Sequence, residues 1–102
     1  MQVKIVGGAG TGGTLSGTGR YLKERNPGVT IVVAEPEGSV FAEYAKTGEV
    51  EEGHPYLVEG IGGDKIPGTL DFTRVDEFLT VSDKDAFAMA RRLVREEGLF
   101  VG

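Results

Sequence analysis

Between Val6 and Arg20 the chain reads GGAGTGGTLSGTG, seven glycines in thirteen positions with Thr11, Thr14 and Thr18 among them. Glycine loses more backbone freedom on folding than any other residue, so such a run destabilises a chain unless something needs bare backbone. A strand that feeds a glycine-rich turn and then a helix supplies such a need. The first N–H groups of a helix have no acceptor inside it, and the helix dipole adds partial positive charge there. Absent side chains then let anionic oxygens come close. The chemistry implied is the holding of a phosphate, with Thr11 and Thr14 as hydroxyl donors. The competing reading is a tight turn whose glycines only let helix approach sheet, and the helix-start argument favours phosphate. Gly17 and Gly19 lie within the helix and are expected to serve packing, at about 1 kcal/mol each relative to alanine.

Other chemistry-bearing residues are sparser. His54 stands alone beside Pro55, and a surface loop histidine explains it better than a metal ligand or general base. Glu43, Glu49, Glu51 and Glu52 form an acidic patch at irregular spacing, which reads as a solvated face rather than a cation site. Asp83 and Asp85 sit where carboxylates support the start of a helix. The absence of cysteine removes disulfides, thiolate catalysis and thiolate metal sites.

These residues need elements to position them. Val3 to Val6 is a short buried strand, Gly7 to Thr14 a turn, and Thr14 to Arg25 a helix ended by Asn26-Pro27-Gly28. Val29 to Ala34 is β-branched and apolar, the pattern of a strand covered on both faces, and Pro36 closes it. Ser39 is placed to cap a short helix, Val40 to Lys46, terminated by Gly48. Glu49 to Asp71 has turn residues at close intervals and reads as loop. Asp76 to Val81 is a third strand, and Ser82 with Asp85 forms a capping box for a helix from Asp83 to Glu97, with Gly98 as its exit. Leu99 to Val101 begins a fourth strand.

This order predicts one α/β domain over residues 1–102. The expected architecture is three-layer α/β/α and Rossmann-like, with a small, mostly parallel sheet of about four strands. A 102-residue chain has room for one core. Hydrophobic content of 39% with 26% charged residues places it among ordinary soluble proteins. No apolar run is long enough for a bilayer and no signal-peptide pattern opens the chain, so a cytoplasmic location is expected. The net charge of −5, with no basic block beyond Arg91-Arg92, argues against nucleic acid as partner. A short parallel strand at a sheet edge tends to find another chain, so a homodimer or strand-exchanged oligomer is expected.

Two phosphate-binding patterns compete for the glycine loop. Gly8-x-Gly10-x-x-Gly13 matches the dinucleotide fingerprint, with Glu35 at the end of the second strand where a ribose-binding acid would sit; FAD or NAD would be the ligand. The longer match lies elsewhere. GTGGTLSGTGRYLKERNPGVTIVVAEPEGS, then VEGIGGDKIPGTLD, then VDEFLTVSDKDAFAMARRLVREEGLFVG resemble the cystathionine β-synthase and O-acetylserine sulfhydrylase family. These are fold-type-II pyridoxal-phosphate enzymes that perform β-replacement on serine-like amino acids. The resemblance runs from residue 10 to 102, with the stretch Ala34 to Ser39 and the long segment before His54 closer to the cystathionine β-synthase branch, and Met1 to Ala9 departs from it.

By position, the resemblance implies that Gly10, Thr11, Gly12, Gly13 and Thr14 grip the phosphate of pyridoxal phosphate. Gly60 would lie beside the cofactor ring, with Gly62 close by. It also implies what is absent from these residues. The lysine that forms the Schiff base and the asparagine loop lie upstream in the family, and the serine facing the pyridine nitrogen lies downstream. Lys65, in GGDKIPG, is not the family's lysine. The expectation is therefore a truncated, engineered or chimeric fragment that binds phosphate weakly and without a covalent bond, with no catalysis alone. A self-folding scaffold with no ligand is the remaining alternative.

Overall fold

The computed structural model describes residues 3–50 and 52–102. Its strands are β1 (Lys4–Gly8), β2 (Thr30–Pro36) and β3 (Glu77–Val81), and its helices are α1 (Gly13–Arg25), α2 (Phe41–Thr47) and α3 (Asp83–Arg92). The sheet is entirely parallel in the order β1-β2-β3, with Ile5 beside Ile31 and Val33 beside Phe78. Successive right-handed crossovers that advance the same way along a sheet place their helices on one face. That face carries Ile5, Ile31, Val33 and Phe78. Leu15 of α1 and Phe41 of α2 join it in a core closed by Ala9, Val29, Val40 and Leu70. On the opposite face Val32 is buried, but Val6 and Leu79 are 60% and 44% exposed.

The parallel α/β arrangement agrees with the sequence reading, and the sheet has three strands rather than four. Residues 99–101 form no strand: they follow Gly98, which turns the chain in the left-handed region, and Phe100 is 94% exposed with no neighbouring strand to pair with. The last helix is also shorter than its apolar spacing predicts. After Arg92 the ladder widens into a π turn over Leu93–Glu97. Its start is as expected, the Ser82 hydroxyl accepting the Asp85 N–H at 3.1 Å. The Asp83 carboxylate takes the N–H groups of Leu57 and Val58 and so ties the long loop to α3.

Two glycines of α1 separate in role. A methyl at Gly19 would lie 3.5 Å from Ile31, so this glycine lets α1 sit close on the sheet. A methyl at Gly17 would meet nothing within 4 Å, which corrects the packing role expected for it. Gly17→Ala is expected to raise stability by about 1 kcal/mol through helix propensity and a less free unfolded chain. Chemical denaturation with an unchanged m-value checks this.

Asp76 ties three elements together. Its carboxylate accepts the Ile31 N–H at 2.7 Å and the Lys23 ammonium at 2.8 Å. These two donors, the backbone one first, hold its pKa below the ordinary carboxylate value. A depressed folded pKa contributes stability that is present above the ordinary value of about 3.9 and is lost as pH falls through the folded value. Asp76→Asn is accordingly expected to flatten the loss of thermal stability below about pH 4. An unchanged acid slope in the variant would show that Asp76 does not carry it.

Candidate functional site

The glycine run begins inside β1 and ends inside α1, so the strand-to-helix turn falls on Ala9 to Gly12. Gly12 caps α1 with φ of 87°, in the left-handed region that only glycine adopts without strain. No side chain caps this helix start and its first turn carries no acidic residue. The first bond of the helix runs from the Ser16 N–H to the Gly12 carbonyl at 2.8 Å, which leaves the Gly13, Thr14 and Leu15 N–H groups without an acceptor inside the helix.

These groups face a cavity of about 240 Å³ lined by residues 8–15 and Gly60. The structure thus brings Gly60 to Gly10, Thr11, Gly12, Gly13 and Thr14 across fifty residues of sequence. The link is local: the Gly62 N–H donates to the Ala9 carbonyl at 2.6 Å. Two further residues were not expected here. Leu70 packs beneath Gly12, and the Thr69 hydroxyl donates to the Thr11 carbonyl. The Ser16 hydroxyl accepts the Asp71 N–H at 2.8 Å, which fixes the same segment against α1. Thr69, Leu70 and Asp71 all lie in the GTLD stretch, so their signal was present as a motif without a structural role.

The glycines of the loop fall into two groups. A Cβ at Gly8 would overlap Ile61 and one at Gly12 would overlap Leu70, so packing alone explains those two. A Cβ at Gly10 would come no closer than 4.0 Å to the Gly60 carbonyl oxygen, and one at Gly13 would meet only the Thr11 hydroxyl at 3.8 Å. Packing therefore does not require glycine at 10 or 13. The space their missing side chains leave open, before unpaired N–H groups and two threonine hydroxyls, fits a phosphate in charge and in donor chemistry.

Other expected site residues lie apart. Glu35 is 1% exposed and its Oε1 accepts the Ala42 N–H at 2.8 Å, capping α2. This removes the acid on which the dinucleotide alternative rests. It also displaces Ser39 from its expected capping role, because the Ser39 hydroxyl bridges to Gly63, accepting the Gly63 N–H at 3.1 Å. Exposed His54 is held by its backbone, whose N–H donates to the Gly38 carbonyl at 3.0 Å. Glu51 lies outside the described residues. Among the described residues no three His, Asp or Glu side chains are grouped to hold a metal ion, and no helix is long and apolar enough to cross a membrane.

Comparison with known proteins gives the loop its context. A family model described as "Pyridoxal-phosphate dependent enzyme" matches residues 2–102. Cystathionine beta-synthase of Oryctolagus cuniculus is 49% identical over 98 residues, which are 96% of this chain and 18% of that protein. Its counterpart in Saccharomyces cerevisiae is 44% identical over 96% of this chain and 19% of its own length. Among solved structures, the O-acetylserine dependent cystathionine beta-synthase from Helicobacter pylori superposes with a TM-score of 0.84 at 40% identity, covering 99% of this chain and 31% of that one. O-ureido-L-serine synthase gives 0.85 at 32% identity, covering 100% of this chain and 30% of that one. The chain spans about a fifth of the length of the curated relatives it matches. With its parallel α/β frame, its glycine loop and matches that extend along nearly every residue, the chain belongs to the pyridoxal-phosphate dependent enzyme family.

Proposed function

We propose that residues 10–14 and the start of α1 hold the phosphate group of pyridoxal phosphate, with Gly60 beside its ring. The carrying observation is that Gly10 and Gly13 are glycine where packing would admit a side chain. The N–H groups of Gly13, Thr14 and Leu15 would donate to phosphate oxygens, the Thr11 and Thr14 hydroxyls would add two donors, and the dipole of α1 would offset the negative charge. In the family the cofactor acts as an electron sink for β-replacement on serine-like amino acids. The residues that would bond its aldehyde and face its pyridine nitrogen are not among the matching motifs here. The chain alone is accordingly proposed to contribute phosphate binding, weak and non-covalent, and no turnover. As a truncated, engineered or chimeric part of a β-replacement enzyme, it would orient the cofactor while other segments do the proton transfer.

The test is thermal unfolding with pyridoxal phosphate, inorganic phosphate, FAD and NAD in parallel. A ligand at a hundred times its dissociation constant adds about 2.7 kcal/mol, a shift of several degrees in a domain of this size. Protection by pyridoxal phosphate and phosphate, and not by the dinucleotides, is expected. Protection by FAD or NAD alone would overturn the assignment, and no protection at all would leave a scaffold.

Self-association is proposed as well. β1 and β3 are both sheet edges, and Val6, Leu79, Phe87 and Val94 are exposed apolar residues. Because residues 99–101 are not strand, the pairing element would be β1 or β3. A dimer mass by light scattering is expected at high concentration, and a monomer there would refute it.

A further inference from the structure

Three carbonyls of the strand-to-helix turn are taken by donors that do not line the cavity in front of it. The Gly62 N–H donates to the Ala9 carbonyl at 2.6 Å, the Ser16 N–H to the Gly12 carbonyl at 2.8 Å, and the Thr69 hydroxyl to the Thr11 carbonyl. Two of these donors are backbone. Thr69 alone acts through a side chain, and it is exposed and 58 residues from Thr11 in sequence. It can therefore be changed without touching the core.

Across a planar trans peptide the carbonyl and the N–H point in opposite directions, so the bond from Thr69 also sends the Gly12 N–H away from Thr69. Gly12 lines the cavity, and its N–H has no acceptor among the described residues. Its φ of 87° and ψ of −3° are those of the third residue of a type II turn. Rotation of the preceding peptide converts such a turn to type I, and glycine tolerates either sign of φ. The Thr11 carbonyl oxygen would then stand where the N–H now stands, and its partial negative charge would meet an anion. The Thr69 hydroxyl opposes that rotation.

We propose that Thr69 is a positioning residue of the glycine loop. Its hydroxyl holds the Thr11–Gly12 peptide so that the N–H is offered to a bound phosphate and the carbonyl oxygen is kept from it. This rests on the phosphate reading of residues 10–14. It adds to that reading a fourth backbone donor, at Gly12, and the side chain that fixes its direction.

The experiment titrates the isotope-labelled chain with inorganic phosphate and follows amide shifts in the parent, Thr69→Val, Thr69→Ser and Thr47→Val. Valine keeps the shape of threonine without the hydroxyl, and serine keeps the hydroxyl. Thr69→Val is expected to bind phosphate about threefold to tenfold more weakly, the equivalent of one hydrogen bond. Thr69→Ser should bind like the parent. Thr47→Val removes another exposed hydroxyl that donates to a carbonyl, that of Glu43 at 2.9 Å, and should leave the affinity unchanged. The ligand-free chain gives a second readout. The nuclear Overhauser effect between Thr11 Hα and the Gly12 amide proton is strong in the type II orientation and weak after rotation. It is expected to weaken in Thr69→Val and to return in Thr69→Ser. Unchanged affinity in Thr69→Val, or an equal loss in Thr47→Val, would overturn the positioning role and leave the phosphate reading in place. A parent that phosphate does not saturate would refute the phosphate reading instead. The ligand-free readout then decides, and equal intensity in the parent and Thr69→Val would overturn the positioning role too.

Discussion

Gly12→Ala is expected to lose roughly 2–5 kcal/mol of stability, from left-handed strain of about 1–2 kcal/mol and overpacking of about 1–3 kcal/mol. Two independent facts set this scale. The residue has φ of 87°, and its new Cβ would stand 2.5 Å from the Leu70 Cβ and 2.6 Å from the Leu70 Cα. The second contact is with backbone, so no rotamer change relieves it; either α1 or the segment through Leu70 must move. Since a domain of this size has about 5–15 kcal/mol in total, the melting temperature should fall by on the order of 10–30 °C. Protection by phosphate should vanish with it, because the N–H donors of Gly13, Thr14 and Leu15 follow directly on the turn that Gly12 closes. Gly13→Ala is the control: its Cβ meets only a hydroxyl at 3.8 Å, so it should melt near the parent while binding phosphate less well. A Gly12→Ala chain that melts like the parent would show that Leu70 does not support the loop.

Phe41→Ala should cost about 3–5 kcal/mol, the usual range for removing a buried aromatic ring. Phe41 opens α2 at 1% exposure. Its ring fills the space above Gly63, where a Cβ would come within 3.1 Å of Cζ. The loss therefore reaches beyond α2 to the loop residues that Ser39 holds through Gly63. Equilibrium denaturation is the measurement, and a loss under about 1 kcal/mol would place the ring outside the cooperative core. The effects of Phe41→Ala and Gly12→Ala should add only approximately, since Leu70 and Phe41 share one hydrophobic cluster.

The parts of the fold legible in the sequence are those whose causes are local. β2 has a strong apolar pattern, Asn26-Pro27-Gly28 marks sharply where α1 ends, and the observed limits of both lie within two residues of those expected. The Ser82 cap is visible because its partner lies three positions away. The α2 cap was misassigned because the nearest capping residue, Ser39, is used elsewhere, while Glu35 reaches forward seven residues to Ala42. Nothing in spacing signals such a substitution, which depends on how β2 enters the helix. The fourth strand failed for a related reason: strand propensity at 99–101 needs a partner, and propensity alone cannot supply one. At the glycine loop the run itself was legible. That Gly8 and Gly12 answer to packing, whereas Gly10 and Gly13 do not, required the positions of Ile61 and Leu70.

The all-parallel order of the sheet has a kinetic consequence. Among the described residues no two strands are joined by a hairpin, so every ladder hydrogen bond must wait for a crossover to close. Lys4 finds Thr30 across a single helix, but Val32 finds Glu77 only after α2 and the long stretch of chain through Asp71. The entropy of closing the longer loop is the larger, so β1, α1 and β2 should assemble first and β3 should dock onto them later. Amides of β2, flanked on both edges, should then be the last to exchange with solvent. Those of β3 should exchange earlier, opening as a unit with the loop that precedes it.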